Sequence, residues 1–404
     1  MSRFFAFPSC LTIAALVGLP GLSAGAATLR VPGQFPTIQG AIDASRPGDV
    51  VLVGPGTYVE SLNIEDKGLL TLESEAGPES TIIDGGGAYQ VIRIYAPVGS
   101  HDATYHVLGF TIRNGGQCGI SSFGAWTHVE NNIVTGNRPS DEGYVCGAIR
   151  NMQGGGRIVH NRVEGNRTTG IWLLDPQGVV VEDNRVEGNT YRGIEAFGHY
   201  LPDSSAKFVR NIVRGNGEYE VLLTDELHLQ FADNLLVGSG LAVAYFASDW
   251  DGEGLSGIVD NNTIVSTAGS QAPVTFYGRI LNLKFANNIV YSGTDAPAMY
   301  CSQSVLSVPR MHHNDAFSTS GPPIHGDECV DGYASGQGNL SVDPRFDEAG
   351  DRDRWSLNAE SPLVDQGDNR AVGNLRRDIR GVPRIFDGGH GSVVDMGAYE
   401  YVPK

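Results

Sequence analysis

Four residues that can transfer protons recur along the middle of the sequence at nearly equal intervals. They are Asp175, His199, Asp225 and Asp249, separated by 24, 26 and 24 residues. Neighbouring carboxylates can divide general-acid and general-base roles, or can share a Ca²⁺ ion that neutralises a uronate. We predict a catalytic acidic line from this spacing. The open alternative is that acidic residues collect at turns, where Asp caps the backbone.

A second set of residues at similar intervals could contact sugar rings. Trp172, Glu195 and Tyr245 offer aromatic faces or hydrogen-bonding groups, and Arg150 points toward a groove position. Aromatic side chains with a polar tip combine a large apolar contact with a hydrogen bond. We therefore predict these four residues as substrate-binding groups that stack on or hydrogen-bond to sugars.

The segment 249–254, with the sequence DWDGEG, is similar to a calcium loop. Asp249, Asp251 and Glu253 alternate, and Gly254 permits a sharp bend. We predict a Ca²⁺ site here and a second, similar candidate in the Asp-rich tail after residue 331, with a plain acidic turn as the alternative. No motif predicts an organic cofactor.

The elements that position these side chains must repeat, because the sequence repeats. The string NRVEGN occurs at 161–166 and again at 184–189. Its first Asn recurs at intervals of 23 to 29 residues, and apolar residues lie three before and two after it. The full set is Asn132, Asn161, Asn184, Asn211, Asn234, Asn262, Asn288 and Asn314. Alternation with a period of two predicts short strands, and long self-similarity predicts a repeat architecture.

This pattern predicts an all-β fold, a right-handed single-stranded parallel β-helix. A coil of 23 residues has a contour of about 75 Å, and stacked coils lie about 4.8 Å apart. The recurring Asn residues would form an internal ladder at one turn, a structural role. We expect a short capping helix after Thr37, and an irregular C-terminal β segment packed on the last coils. That segment should cover an outward apolar stripe formed by Leu235, Val237, Val265, Ile289, Tyr291 and Phe317.

Four cysteines lie in the repeat region or soon after it. Cys118 and Cys146 occupy the same place on neighbouring coils, where stacked strands bring Cα atoms within disulfide range. We predict a Cys118–Cys146 disulfide, and by elimination a Cys301–Cys329 disulfide. Their spacing does not match a zinc motif.

The two ends of the sequence differ from the repeats. Arg3, an apolar run from Leu11 to Leu19 and small residues at 24–26 predict a signal peptide over residues 1–26. The expected organisation is then an N-terminal cap with the first coils (28–85), a parallel β-helix body (86–330) and a C-terminal segment (331–404). We expect an exported protein, periplasmic or extracellular, with no transmembrane segment once the signal is removed.

Composition and net charge limit the kinds of molecule that the protein is expected to bind. The 404 residues carry a formal net charge of −18 with scattered basic residues, so we do not expect nucleic acid as a partner. Gly accounts for 54 residues, as suits a turn-dense solenoid. We expect a monomer that binds polysaccharide.

Two stretches resemble known families. The N-terminal run FPTIQGAIDASRPGDVVLVGPGTYVESLNI resembles the cap and first coils of bacterial β-helix proteins of the pectin-lyase-like superfamily. The run SVDPRFDEAGDRDRWSLNAESPLVDQGDN is similar to the choice-of-anchor Q domain. The resemblance implies a secreted protein that acts on a linear polysaccharide through an outer face of the coils, as a lyase or a hydrolase.

Departures from the enzymes of that superfamily keep a second hypothesis open. The Asn-Thr-Asp and Asp-Asp strings of polygalacturonases are missing, and Gly389-His390-Gly391 lies in the tail, outside the coils. The alternative is a non-catalytic, surface-structural or glycan-binding β-helix similar to an adhesin.

Overall fold

The structure is a computed structural model. It describes residues 25–100, 103–138, 146–248, 254–269, 271–302, 304–305, 307–347, 354–374, 376–389 and 391–403.

Three parallel sheets, A, B and C, run the length of the coils, and each coil contributes one strand to each sheet. Sheet A contains β1 (Thr28–Val31), β2 (Val50–Val53), β5 (Leu70–Ser74), β8 (Thr104–Leu108), β11 (Trp126–Glu130), β14 (Gly156–Val159), β17 (Gln177–Glu182), β20 (Ser205–Val209), β23 (His228–Ala232), β26 (Leu255–Asp260), β29 (Ile280–Ala286) and β32 (Arg310–His312). Sheet B contains β3 (Gly56–Val59), β6 (Thr81–Asp84), β9 (Thr111–Arg113), β12 (Ile133–Thr135), β15 (Arg162–Glu164), β18 (Arg185–Glu187), β21 (Ile212–Arg214), β24 (Leu235–Gly238), β27 (Thr263–Ser266), β30 (Ile289–Ser292) and β33 (Asp315–Ser318). Sheet C contains β4 (Leu62–Glu65), β7 (Gln90–Tyr95), β10 (Cys118–Phe123), β13 (Gly147–Met152), β16 (Thr169–Leu174), β19 (Arg192–Gly198), β22 (Tyr219–Asp225), β25 (Ala242–Ser248), β28 (Val274–Gly278), β31 (Met299–Cys301) and β34 (Ile324–His325).

The predicted parallel β-helix is confirmed, and its interior is one continuous apolar core. Most strands direct alternate side chains into this core, as in Val129 and Val134 on two strands of the same coil. The inward ring of Phe246 contacts Phe231 of the same coil and Phe276 of the next coil, with ring centroids 6.2 and 5.5 Å apart. These contacts lie on the inner side, so the outer faces remain available for other roles.

The predicted Asn ladder is present at the turn between sheets A and B. Each Asn donates from its backbone and side chain to the carboxamide oxygen of the next, as from Asn161 N (2.9 Å) and Nδ2 (3.0 Å) to Asn184 Oδ1. The ladder continues one coil beyond the predicted anchors, because Asn314 donates in the same way to Asn339. These side chains satisfy buried backbone groups that no strand pairing reaches.

A second ladder lies at the turn between sheets B and C, and the sequence analysis missed it. It joins Asn137, Asn166, Asn189 and Asn216, and it ends on Glu220, whose carboxyl accepts from Asn216 Nδ2 at 2.5 Å. Asn166 and Asn189 are the last letters of the two NRVEGN strings, so the repeat itself carried this signal.

Helices close both ends of the described coils. Helix α1 (Ile38–Ala44) begins after Thr37, whose side chain accepts from Gly40 N, and it buries Ile38, Ala41 and Ile42 on the first coils, as predicted. Helix α2 (Asp327–Ser335) packs near β31, β32 and β34 and buries Cys329 and Tyr333. Helix α2 was not among the elements predicted from the sequence.

The segment after α2 covers sheet B, as predicted for the apolar stripe. Tyr291 contacts Phe346 and Trp355 with ring centroids 5.5 and 6.2 Å apart. Further along, Ile289 packs with Leu363, and Leu235 packs with Tyr399. Side chains that would expose an apolar patch on a bare sheet are thereby buried.

Both predicted disulfides are present, Cys118–Cys146 with Cα atoms 5.8 Å apart and Cys301–Cys329 with Cα atoms 5.7 Å apart. Among the described residues, no helix has the length and apolar character needed to cross a membrane. The predicted signal peptide falls almost wholly within residues 1–24, which lie outside the described part of the chain.

Candidate functional site: the outer face of sheet C

The outer face of sheet C carries a continuous row of chemically active side chains, which we call the central column. Register pairing aligns its members one per coil, at the coil spacing of about 4.8 Å. In order they are Arg93, Ser121, Arg150, Trp172, Glu195, Leu222, Tyr245, Thr275, Tyr300 and His325. Their immediate neighbours, such as Ile171 and Ile194, are buried in the core, so period-two alternation directs the central column away from it.

A second outward row, the flanking column, lies two residues further along each strand and is mainly apolar or aromatic. It contains Tyr95, Phe123, Met152, Leu174, Phe197, Thr224, Ala247 and Tyr277.

Contacts between and within the two columns hold the aromatic rings in place. Arg150 lies over the Trp172 ring at 5.9 Å, and Trp172 meets Phe197 edge to face with centroids 5.2 Å apart. Tyr300 and His325 stack at 5.6 Å. Rings fixed in this way lose little conformational entropy when a ligand packs on them.

The centre of the face holds a small charge cluster. Arg192 Nη1 contacts Glu195 Oε1 at 2.6 Å, and Arg192 Nε contacts Glu218 Oε2 at 3.2 Å. The side chain of Glu195 is 10% exposed. Burial raises the pKa of the Glu195 carboxyl, and the Arg192 guanidinium opposes that rise only in part. A carboxyl tuned in this way is a candidate for proton transfer.

Toward the last coils the face deepens into an aromatic groove of about 500 Å³. Its walls include Tyr245, Tyr277, Tyr300, Thr275 and His325. The groove therefore presents flat rings and hydroxyl groups with little formal charge, a combination suited to a sugar chain.

The structure brings together the four residues predicted to bind substrate. Arg150, Trp172, Glu195 and Tyr245 all belong to the central column, with Leu222 between the last two. Their binding role stays a prediction, but their shared face is a structural fact.

The predicted catalytic line is arranged differently. Asp175 is fully buried at a left-handed turn (φ 47°), where its carboxylate accepts from His199 N at 2.5 Å, Tyr200 N at 2.8 Å and Gln153 Nε2 at 3.2 Å. These bonds give Asp175 a turn-stabilising role. Asp225 is partly buried at the corresponding turn two coils later, at φ 64°. The catalytic roles of Asp175, His199 and Asp225 stay predictions without support from the geometry.

The predicted calcium loop, Asp249, Asp251 and Glu253, lies outside the described residues. In the tail, aspartates mainly bond to backbone N–H groups. Asp387 accepts from Gly389 and Gly391, while Asp395 accepts from Asp365 N. These contacts fit the plain-turn alternative for the described tail aspartates.

Sequence reasoning missed Tyr277, Tyr300 and His325. His325 keeps the offset of 11 from its anchor Asn314 and was overlooked, whereas a constant offset misses Tyr300. Tyr245 lies 11 residues after Asn234, whereas Tyr300 lies 12 after Asn288. The turn between sheets B and C changes length from coil to coil, which shifts the outward positions. Anchoring on the inward apolar residue of each sheet C strand would have found them.

These features define the class as a right-handed parallel β-helix. A family model described as a right handed beta helix region matches residues 94–246. No curated protein sequence matches the chain significantly.

Solved structures with the same architecture have very different sequences. The pectate lyase Pel9A superposes with a TM-score of 0.52 at 15% identity, covering 94% of this chain and 97% of that chain. The A-module of the Azotobacter vinelandii mannuronan C-5 epimerase AlgE6 gives a TM-score of 0.49 at 14% identity, covering 76% of this chain and 94% of that chain. At 15% identity the likeness to Pel9A shows the fold alone.

Proposed function

We propose that this protein binds a linear polysaccharide along the outer face of sheet C. The observation that carries the proposal is the central column, ten outward positions on successive coils that include Trp172, Tyr245 and Tyr300. A repeating ligand fits a repeating surface, because each coil can offer an equivalent contact to a successive sugar. The substrate class is taken from fold relatives such as the pectate lyase Pel9A, and the residues come from this chain.

The charge on the face favours recognition of both neutral and acidic sugars. Arg93 and Arg150 lie at the early coils, the Arg192 cluster lies at the centre, and the described groove residues at the late coils are hydroxyl and aromatic groups. A chain with spaced carboxylates would contact Arg93 and Arg150 and stack in the groove. We therefore expect a partly uronate polysaccharide to bind more tightly than a neutral one, and increasing salt to reduce the difference.

A panel of neutral and uronate-containing linear polysaccharides tests the binding proposal, with titration calorimetry at low and at moderate salt. Saturable binding to at least one chain, strengthened by uronate at low salt, is the expected result. Lack of binding across the panel, with and without Ca²⁺, would overturn the proposal.

Cleavage is the second candidate function, and Glu195 is the specific observation that favours it. The carboxyl is buried beside one cation within the proposed binding column, and burial raises its pKa, as suits a proton donor. The matched test is Glu195→Gln, which keeps size and hydrogen bonding but cannot transfer a proton. Unsaturated ends detected by ultraviolet absorbance indicate a lyase, and reducing ends without absorbance indicate a hydrolase.

If wild type cleaves and Glu195→Gln binds without cleaving, Glu195 is catalytic. If both cleave equally, Glu195 is not the proton donor. If wild type binds without cleaving, the protein is a glycan-binding β-helix.

We also propose that the protein works outside the cytoplasm. One disulfide joins neighbouring coils and the other joins strand β31 to helix α2, and such bonds persist in oxidising compartments. Fractionation of cells that express the full chain, with mass spectrometry of its N-terminus, tests export and the cleavage predicted near residue 26.

A further inference from the structure

A group of nitrogen and oxygen donors lies where the C-terminal segment meets the last coils. His312 ends strand β32, His313 follows at the turn, and Asp368 belongs to the covering segment. One donor atom from each residue lies within 4.8 Å of the others. His312 Nδ1 is 3.3 Å from His313 Nδ1 and 3.8 Å from Asp368 Oδ2.

We propose that His312, His313 and Asp368 form a transition-metal site, best suited to Zn²⁺, that fastens the C-terminal segment to the coils. Two ligands of a tetrahedral zinc ion with bonds of about 2.0–2.1 Å lie about 3.3 Å apart, close to the separation of the two imidazole nitrogens. Two imidazoles and one carboxylate also match the donor preference of zinc, whereas Ca²⁺ selects oxygen ligands.

The backbone that carries these donors is already fixed. Asp368 N donates to Asn287 Oδ1 at 2.8 Å, and Asn287 Nδ2 donates to Asp368 O at 3.1 Å. His313 N donates to Gln337 O at 2.9 Å. Because Asn287 is fully buried in the coil, its two bonds hold Asp368 against the histidine turn. The backbone therefore loses little further conformational entropy when a metal binds.

Two cations oppose the metal. Lys284 places positive charge near His312, and Arg370 contacts the Asp368 carboxylate at 3.1 and 3.3 Å. The Arg370 side chain is 85% exposed, so its ion pair with Asp368 contributes little and can be displaced. Removing Arg370 should consequently tighten metal binding rather than weaken it.

Titration calorimetry with ZnCl₂ on the EDTA-treated, dialysed full chain tests the site, with CaCl₂ as the contrasting ion. One equivalent of zinc should bind, and excess zinc should raise the melting temperature. Asp368→Asn and His313→Asn should each weaken zinc binding by at least about 10–100-fold. Asn is chosen at 313 because the backbone there is left-handed (φ 52°), which Asn tolerates.

Arg370→Ala should bind zinc more tightly than wild type. The matched control is His128→Asn, which removes one ring from a different histidine pair, His106 and His128, whose rings stack with centroids 4.7 Å apart on sheet A. That control should bind zinc as wild type does.

Melting temperatures of every variant in EDTA distinguish the loss of a metal ligand from the loss of the fold. Lack of zinc binding by wild type, or equal affinity in wild type, Asp368→Asn and His313→Asn, would overturn the proposal. An equal loss in His128→Asn would do so as well. Zinc-dependent slowing of hydrogen exchange near Asp368, present in wild type and absent in Asp368→Asn, would support the fastening role independently of any enzymatic activity.

Discussion

Arg384 forms a buried ion pair with Asp233, a residue 151 positions earlier in the chain, with Arg384 Nε 2.8 Å from Asp233 Oδ1. The same guanidinium contacts Glu400 Oε1 at 2.9 Å and donates to Gly397 O at 2.9 Å. The side chains of Arg384, Asp233 and Glu400 are each 1% exposed. The Arg384 guanidinium therefore joins the coil turn after β23 to Gly397 and Glu400 in the C-terminal segment that covers sheet B.

Replacing Arg384 by Leu should destabilise the protein by about 3–5 kcal/mol, because two carboxyl groups would remain buried without their cation. Chemical denaturation measures this change. Limited proteolysis should also cut the segment after α2 sooner than in wild type. Arg370→Ala, examined in EDTA, removes an exposed ion pair of the same segment and should change stability by less than about 1 kcal/mol. Equal stability of Arg384→Leu and Arg370→Ala would contradict this account.

Replacing Asn189 by Ala should cost at least about 3 kcal/mol, since it interrupts the second ladder in its middle. Asn189 Nδ2 donates to Asn216 Oδ1 and Val163 O, and Asn189 Oδ1 accepts from Asn166 N. Each buried partner left unsatisfied costs about 1–3 kcal/mol. Thermal and urea unfolding provide the measurement. The control Asn63→Ala alters an exposed Asn on sheet C, and a loss as large as that of Asn189→Ala would argue against the ladder as the cause.

The sequence predicted those parts of the fold that repeat. Asn132 to Asn314 could be aligned because each serves the same turn, and Cys118 and Cys146 followed from that alignment. Arg384 could not be assigned in advance, since its partners Asp233 and Glu400 are fixed by how the irregular segment crosses sheet B. Because that segment does not repeat, no periodic pattern in the sequence marks a single buried arginine there.

The residues of the candidate site were likewise predicted only where they follow the repeat. Trp172, Glu195 and Tyr245 were placed correctly on one face because three coils share the same spacing from their Asn anchors. Asp175 has the expected interval too, but interval does not distinguish an outward carboxylate from one that caps a left-handed turn. The backbone N–H groups of His199 and Tyr200 fix the orientation of the Asp175 carboxylate, and the positions of these groups cannot be read from residue types.

The carboxyl group at the end of the second ladder makes stability depend on pH. Burial raises the pKa of Glu220 to about 8, despite its bonds from Asn216. The folded state therefore holds a proton that the unfolded state releases above its pKa of about 4.3. This stabilisation is complete below the unfolded pKa, falls by about 1.4 kcal/mol per pH unit as pH rises, and is lost once pH passes about 8.

Glu220→Gln removes this titration and can keep an oxygen acceptor for Asn216. The variant should match wild type near pH 4 and be more stable than wild type at pH 8. Free energies of unfolding at several pH values provide the measurement. Asp43→Asn, which changes an exposed carboxylate on α1, should leave the pH dependence nearly intact. Parallel pH profiles for wild type and Glu220→Gln would show that Glu220 is ionised in the folded state.

The most direct test of the proposed binding face is the affinity of Trp172→Ala for the polysaccharide that wild type binds most tightly, measured by titration calorimetry. Trp126→Ala makes the same substitution on the outer side of sheet A and serves as the matched control. With melting curves confirming that both variants fold, we expect Trp172→Ala to lose at least about tenfold in affinity, or about 1.4 kcal/mol, and Trp126→Ala to bind as wild type does. Unchanged affinity in Trp172→Ala, or an equal loss in Trp126→Ala, would contradict the assignment of sheet C as the polysaccharide-binding face.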